Sequence, residues 1–181
     1  VAAALISTAM GRDVLLWFKR DLRVADNPAL AEAVARDGRV LPLFIVEPEA
    51  WAQADASARQ YRFMAESLAG LREDLARLGA PLIVRIGPAR EVLATLCAQT
   101  GIREIVSHEE TGNLWSYARD RAVAAWARGE GIRWTEVPQM GVVRRLDTRD
   151  GWAARRERAV RAGQIPAPVG LRGFGLDPGA I

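Results

Sequence analysis

Apolar positions in this chain gather into five short runs, separated by longer stretches with helical spacing. The runs are Val14–Phe18, Val40–Val46, Leu82–Ile86, Glu104–Ser107 and Ile132–Val137. Near-continuous apolar runs of this length suit strands buried on both faces, as in a parallel sheet. Pro42 is awkward inside the second run and predicts a bulge or a strand start there. Helices are predicted between the runs. One starts at Asn27-Pro28, with Asn as N-cap and Pro at the first helical position, and stops at Gly38. The longest covers Ser57 to Leu78. Ser57 and Gln60 form a capping box, and Tyr61, Met64, Leu68, Leu71, Leu75 and Leu78 share one face. Gly79 and Pro81 end it. Further helices are predicted from Pro88 to Gly101, Trp115 to Arg128 and Asp150 to Arg161. Strands alternating with helices predict an α/β fold: a three-layer, doubly wound, Rossmann-like sandwich around a five-stranded parallel sheet with right-handed crossovers.

The expected organisation is an N-terminal extension over 1–12, an α/β domain over 13–162 and an interdomain linker over 163–181. Met10 is a plausible natural start. The linker reading rests on Pro166, Pro168, Pro178 and several glycines in a stretch without helical or strand period. With 181 residues, 50% hydrophobic and 26% charged, the chain has the composition of one folded domain. Cys97 is the sole cysteine, which excludes an internal disulfide framework and a multi-cysteine metal site. No run approaches the roughly 20 apolar residues of a membrane span. The first residues lack the basic region of a secretory signal. A cytoplasmic protein with no membrane partner is expected.

Charge adds one feature. The net charge is +3, and Lys19 is the sole lysine among 25 cationic residues. Seven arginines lie between Gly141 and Gln164 (Arg144, Arg145, Arg149, Arg155, Arg156, Arg158, Arg161), against Asp147, Asp150 and Glu157. This segment reads either as a phosphate-contacting or domain-docking surface, or as a solvated helix face with i,i+4 pairs.

In open parallel sheets, ligands bind beyond the carboxyl ends of the strands, near the point where strand order reverses. Three loops qualify: Lys19–Arg23, the segment from Glu47-Pro48 that includes Trp51, and His108–Asn113, which leads into Trp115. The first reads as an anion or polar-ring site, or as ion pairs that fix the loop. His108 is the lone histidine. Beside Glu109 and Glu110 it reads as a metal ligand, a general base or a hydrogen-bonded structural residue, the last being the commonest outcome. There is no GxSxG, GxGxxG or Walker-type loop.

The run from Trp17 to Leu30 reads WFKRDLRVADNPAL. It resembles the opening of the photolyase/cryptochrome family, WF(K/R)xDLRxxDNxAL, over a strand, a loop and a helix start in register. Ser67, Leu68, Leu71, Leu75, Leu78 and Gly79 resemble that family's SLxxLxxxLxxLG helix, and Tyr117-Ala118-Arg119-Asp120 its (Y/R)xRD helix start. The similarity spans about Asp13 to Arg145. The resemblance implies a domain that binds a light-harvesting antenna, while FAD and its electron-transfer repair of pyrimidine dimers belong to an all-helical C-terminal domain outside this chain. The implied partners are that FAD-binding domain and, through the full-length protein, UV-damaged DNA. The chain alone is expected neither to bind FAD tightly nor to repair DNA. Folate-binding members carry Asn-Glu where Trp115 and Ser116 stand here, so a deazaflavin or flavin antenna is expected over a folate. Arg20, Asp21, Glu47, Trp51 and Glu109 are the residues expected at its site. A cryptochrome photosensor is the competing reading. An unrelated nucleotide-binding α/β domain predicts a Gly-rich phosphate loop near the fourth strand, for which Gly112-Asn113 is a poor match.

Overall fold

The computed structural model describes residues 11–139, 143–144 and 148–181. Residues 1–10 of the expected N-terminal extension, Met10 included, lie outside the described residues, as do Arg145 and Asp147 of the basic segment. Five parallel strands form one sheet in the order β3-β2-β1-β4-β5. They are β1 (Arg12–Phe18), β2 (Asp37–Val46), β3 (Ile83–Ile86), β4 (Glu104–His108) and β5 (Arg133–Val137). The helices are α1 (Pro28–Val34), α2 (Pro48–Trp51), α3 (Ala58–Leu78), α4 (Ala89–Thr100), α5 (Leu114–Gly129) and α6 (Trp152–Arg161).

The middle of the sheet, β1, β2 and β4, is buried on both faces. Leu15, Trp17, Leu41, Leu43 and Ile105 pack against Leu93 and Leu96 of α4 and Val123 and Ala127 of α5. Leu16, Phe18, Val40, Phe44 and Val106 pack against Leu30 and Ala33 of α1 and Leu68, Leu71 and Leu75 of α3. Odd and even strand positions therefore feed opposite cores, as period-2 side-chain alternation requires. Chain order runs from β1 outward through β2 to β3, then returns across the sheet so that β4 lies on the other side of β1. The order thus reverses between β1 and β4.

Several predicted boundaries are made by the expected chemistry. Asn27 Oδ1 accepts from Leu30 N at 2.9 Å. Ser57 Oγ accepts from Gln60 N at 3.3 Å and donates to Gln60 Oε1 at 2.9 Å. Gly79 closes α3 with φ 99°. Gly38 does something other than stop a helix. α1 ends at Val34, and Gly38 lies inside β2 where a Cβ would collide with the Arg12 carbonyl. Pro42 stays within β2, paired with Leu16 of β1. β3 begins pairing only at Leu43, so the N–H that Pro42 lacks faces a stretch of edge that β3 does not reach. The Glu47–Ala56 connection contains the single turn of α2, which the sequence pattern does not reveal. Among the described residues no helix is long and apolar enough to cross a membrane.

Residues 163–181 form no helix or strand, yet they lie along the domain. Asp26 N donates to Ile165 O, Leu171 N to Leu78 O, Val40 N to Arg172 O and Val84 N to Pro178 O, at 2.7–2.8 Å. α6 buries none of its residues.

Candidate functional site

A cavity of about 540 Å³ opens above the carboxyl ends of the strands, at the point where strand order reverses. Its floor is ionic. Arg119, on α5, donates to Glu47 Oε2 at 2.6 Å and to Glu110 Oε2 at 2.7 Å, and its Nε bonds Asp120 Oδ1 at 3.0 Å. Lys19 Nζ donates to Asp120 Oδ2 at 2.7 Å. Arg20 Nε donates to Glu110 Oε1 at 3.1 Å, and that oxygen also accepts from Thr111 N and Gly112 N. The side chains of Lys19 and Glu110 are each 3% exposed, whereas that of Arg20 is 57% exposed, so the network is buried at its centre and meets solvent at Arg20. Three loops and one helix meet in it, and its ion pairs other than Arg119–Asp120 run from one of them to another.

Burial is the largest influence on Lys19, Glu47, Glu110 and Arg119. It pushes Lys19 below its usual range, although Asp120 pulls the other way. It pushes Glu47 up, opposed by Arg119. Burial acts on Glu110 in the same sense, but Arg20, Arg119 and Lys19 together bring that carboxyl below the usual value. For Arg119 burial is outweighed by Glu47 and Asp120, and its pKa rises. The floor therefore contains carboxylates with opposite tendencies: Glu110 holds its charge firmly, and Glu47 takes a proton more readily.

The walls are apolar and aromatic. Trp51 of α2 meets the Tyr61 ring edge-on, with centroids 5.0 Å apart. Phe63 and Met64 of α3 and Trp115 of α5 also line the cavity. The Arg119 guanidinium lies 5.6 Å from the Trp115 ring centre. Asn113 caps α5 by accepting from Ser116 N and donates to Asp55 at 3.0 Å, which ties the α2–α3 connection to the start of α5. Gly112 sits close against this network. A Cβ there would lie 2.8 Å from both Glu110 Oε1 and Ser116 Oγ, and nearer still to Arg20.

Of the five residues expected at the site, Arg20, Asp21, Glu47 and Trp51 line this cavity. Glu109 does not. Its N–H continues the pairing with β5 by donating to Val137 O at 2.8 Å, and its carboxylate lies 3.9 Å from Arg144. Glu110 takes the place expected of Glu109. Lys19, Glu110 and Arg119 belong to the floor, and none was among the expected residues. A signal for Glu110 was present: the N–H groups of Thr111 and Gly112 need an acceptor, and Glu110 is the adjoining carboxylate. His108 ends β4 buried, with Nε2 4.0 Å from Asp21 Oδ2, beside a separate cavity of about 350 Å³. Burial lowers its pKa, so it is neutral at pH 7. Among the described residues no group of three His, Cys, Asp or Glu side chains is placed to hold a metal ion.

A parallel, doubly wound sheet with a cavity at its switch point defines an α/β domain of the Rossmann-like class. The family model for DNA photolyase matches residues 14–154, and the chain belongs to that family, as its N-terminal α/β domain. It is 34% identical over 122 residues to a deoxyribodipyrimidine photo-lyase of Agrobacterium fabrum, covering 66% of this chain and 24% of the relative. It is 35% identical over 146 residues to a (6-4)DNA photolyase of Oryza sativa, covering 72% and 26%. It is 32% identical over 128 residues to cryptochrome-1 of Aedes aegypti, covering 67% and 23%. The chain thus spans about a quarter of the length of these relatives. Among solved structures, a class III photolyase from Agrobacterium tumefaciens superposes with a TM-score of 0.76 at 25% identity, over 97% of this chain and 38% of the other. A photolyase from Sulfolobus tokodaii, described with two FAD molecules and an implied novel light-harvesting cofactor, shares the fold: TM-score 0.65 at 22% identity, over 90% and 38%.

Proposed function

We propose that this domain holds a flavin or deazaflavin as a light-harvesting chromophore in the 540 Å³ cavity. The excitation would pass to FAD in a helical domain outside this chain, within a light-dependent DNA repair enzyme. The observation that carries the reading is the cavity's construction. Trp51, Phe63 and Trp115 offer flat apolar surface for a fused ring, and the floor of Lys19, Glu47, Glu110 and Arg119 offers donors and acceptors for a polar ring edge. Stacking on aromatic faces with a few fixed polar contacts is how such pockets bind planar ligands. The volume suits a tricyclic ring, since small-molecule sites commonly measure about 300–1,000 Å³. Arg20 and Asp21 are proposed to contact the ligand at the rim. Glu109 has no part in this proposal, because it lies outside the cavity.

Damaged DNA and the FAD domain are the proposed partners of the whole protein. A second reading has a specific basis. The similarity to a mosquito cryptochrome is close to that to the photolyases, 32% against 34% and 35%. Under that reading the same pocket serves a photosensor without repair activity.

The test is direct titration of the purified chain with riboflavin, FMN, an 8-hydroxy-deazaflavin and methenyltetrahydrofolate, followed by equilibrium dialysis and fluorescence. The flavin-type rings should bind and the folate should not. Trp51→Ala should weaken flavin binding about tenfold, the loss of roughly 1.4 kcal/mol of ring contact. Retention of the folate alone would overturn the flavin-type assignment, and retention of none of the four removes the antenna reading.

A further inference from the structure

We propose that the 350 Å³ cavity beside the ring site receives an uncharged, polyhydroxylated chain carried by the chromophore, so that the domain selects a ring bearing a polyol rather than a phosphate. The inference rests on the flavin-type reading above and extends it to the part of the ligand outside the ring.

The two cavities share three lining residues. Arg20, Asp21 and Arg23, from the loop after β1, line both. The rest of the second cavity comes from His108 at the end of β4, Pro138 and Gln139 just past β5, and Asp26 and Pro28 where α1 begins. No aromatic side chain is among its described lining residues, in contrast to the ring cavity with Trp51, Phe63 and Trp115. The second cavity is therefore suited to a polar group attached to the ring, and not to another ring.

His108 shows which polar group fits. Its side chain is 7% exposed, and among the described residues its ring makes no hydrogen bond. Nε2 lies 4.0 Å from Asp21 Oδ2, too far for a direct one. Asp21 Oδ1 is engaged by Arg23 Nε at 2.8 Å, so Oδ2 is the oxygen left toward the imidazole. Buried polar groups without partners are costly. A hydroxyl both donates and accepts, so a single hydroxyl bonds carboxylate and imidazole together across that gap.

Charge separates a polyol from a phosphate. The cations Arg20 and Arg23 are matched in this cavity by Asp21 and Asp26, and Arg23 reaches Asp26 as well, at 3.5 Å. Arg20 is already paired with Glu110 of the floor. His108 adds no charge, because burial lowers its pKa. An ionised phosphate offers only acceptor oxygens, which would stand against two carboxylates without a spare cation. A chain of hydroxyls finds acceptors in Asp21 and Asp26, donors in Arg20 and Arg23, and both in Gln139.

The test compares three ligands that share one ring: lumiflavin, with a methyl in place of the ribityl chain, riboflavin and FMN. Each is titrated by fluorescence into the full chain without a histidine tag. Riboflavin should bind about tenfold more tightly than lumiflavin, the return on a few hydrogen bonds, and FMN no more tightly than riboflavin. In His108→Leu the riboflavin-to-lumiflavin ratio should fall to about twofold. A second measurement needs no variant. His108 is the sole histidine, so its imidazole Cε1–H proton resonance is unambiguous, and riboflavin should shift it whereas lumiflavin should not. If His108→Leu does not fold, this signal decides. Equal affinity for lumiflavin and riboflavin, FMN preferred by about tenfold, an unchanged ratio in the folded variant, or a His108 signal indifferent to riboflavin would each overturn the polyol site. In those cases binding of lumiflavin would still uphold the ring site. Failure of all three ligands to bind would remove both.

Discussion

Arg119 gathers three carboxylates that would otherwise repel one another in a buried place: Glu47, Glu110 and Asp120. Replacing one partner of a buried ionic cluster costs more than the cluster contributes, because uncompensated charge is left behind. Arg119→Met should therefore lower the unfolding free energy by about 3–5 kcal/mol, measured by urea denaturation at neutral pH. Part of the loss should be recovered in mild acid, as Glu47 takes up a proton. His108 makes the opposite case. Burial holds its folded-state pKa below the usual 6.5, so the unfolded chain protonates first as pH falls. Its contribution is full above that value and declines as pH drops through and below it. His108→Gln should flatten the fall in stability between about pH 7.5 and about pH 5.5, relative to the parent protein titrated in parallel. A slope unchanged by the substitution would assign the acid sensitivity elsewhere. At this scale the sequence was only partly legible. Arg20, Asp21, Glu47 and Trp51 follow from the rule that strand ends bear ligands. The choice between Glu109 and Glu110 does not, because it turns on how far the β4–β5 pairing continues before the chain bends.

The elements were legible wherever a side-chain period or a cap wrote them. α3 carries its Ser57 cap, its Leu68–Leu71–Leu75 stripe and its Gly79 stop in the sequence, and all appear in the structure. Gly38 and α2 were illegible for a common reason: each answers to backbone proximity rather than to side-chain pattern. Gly38 permits the close approach of β2 to Arg12, and α2 is a single turn closed by Ala50 and Ala52 N–H bonds to Glu47 and Pro48. The junction of β4 with α5 shows what such geometry is worth. Asn113 both caps α5 and holds Asp55, so Asn113→Ala removes a cap and a tether in one step. The cap alone is worth about 1 kcal/mol. The expected loss is somewhat larger than that, with faster amide exchange in residues 52–57 as well as in the first turn of α5. Faster exchange in α5 alone would mean that the Asp55 contact does no tethering.

Across the whole molecule, the strands and the four covering helices were readable because both faces of the sheet's middle demand apolar side chains, and those demands show in the sequence. The docking of residues 163–181 was not, since carbonyl oxygens make most of it and any residue type supplies a carbonyl. The same two-sided sheet dictates how the protein should unfold. Leu93 on α4 and Leu75 on α3 are both fully buried, on opposite faces. Adjacent positions on each strand serve the two cores in turn, so neither core can dissolve while the sheet remains intact for the other. Leu93→Ala and Leu75→Ala should each cost about 3 kcal/mol. Both should shift one shared transition, in which far-ultraviolet circular dichroism and tryptophan emission, to which the buried Trp17 contributes, change together. Independent layers would behave otherwise: Leu75→Ala would move the dichroism and leave an emission change at its original denaturant concentration. The unbroken succession of paired strands from β3 to β5 is the physical reason to expect coincidence.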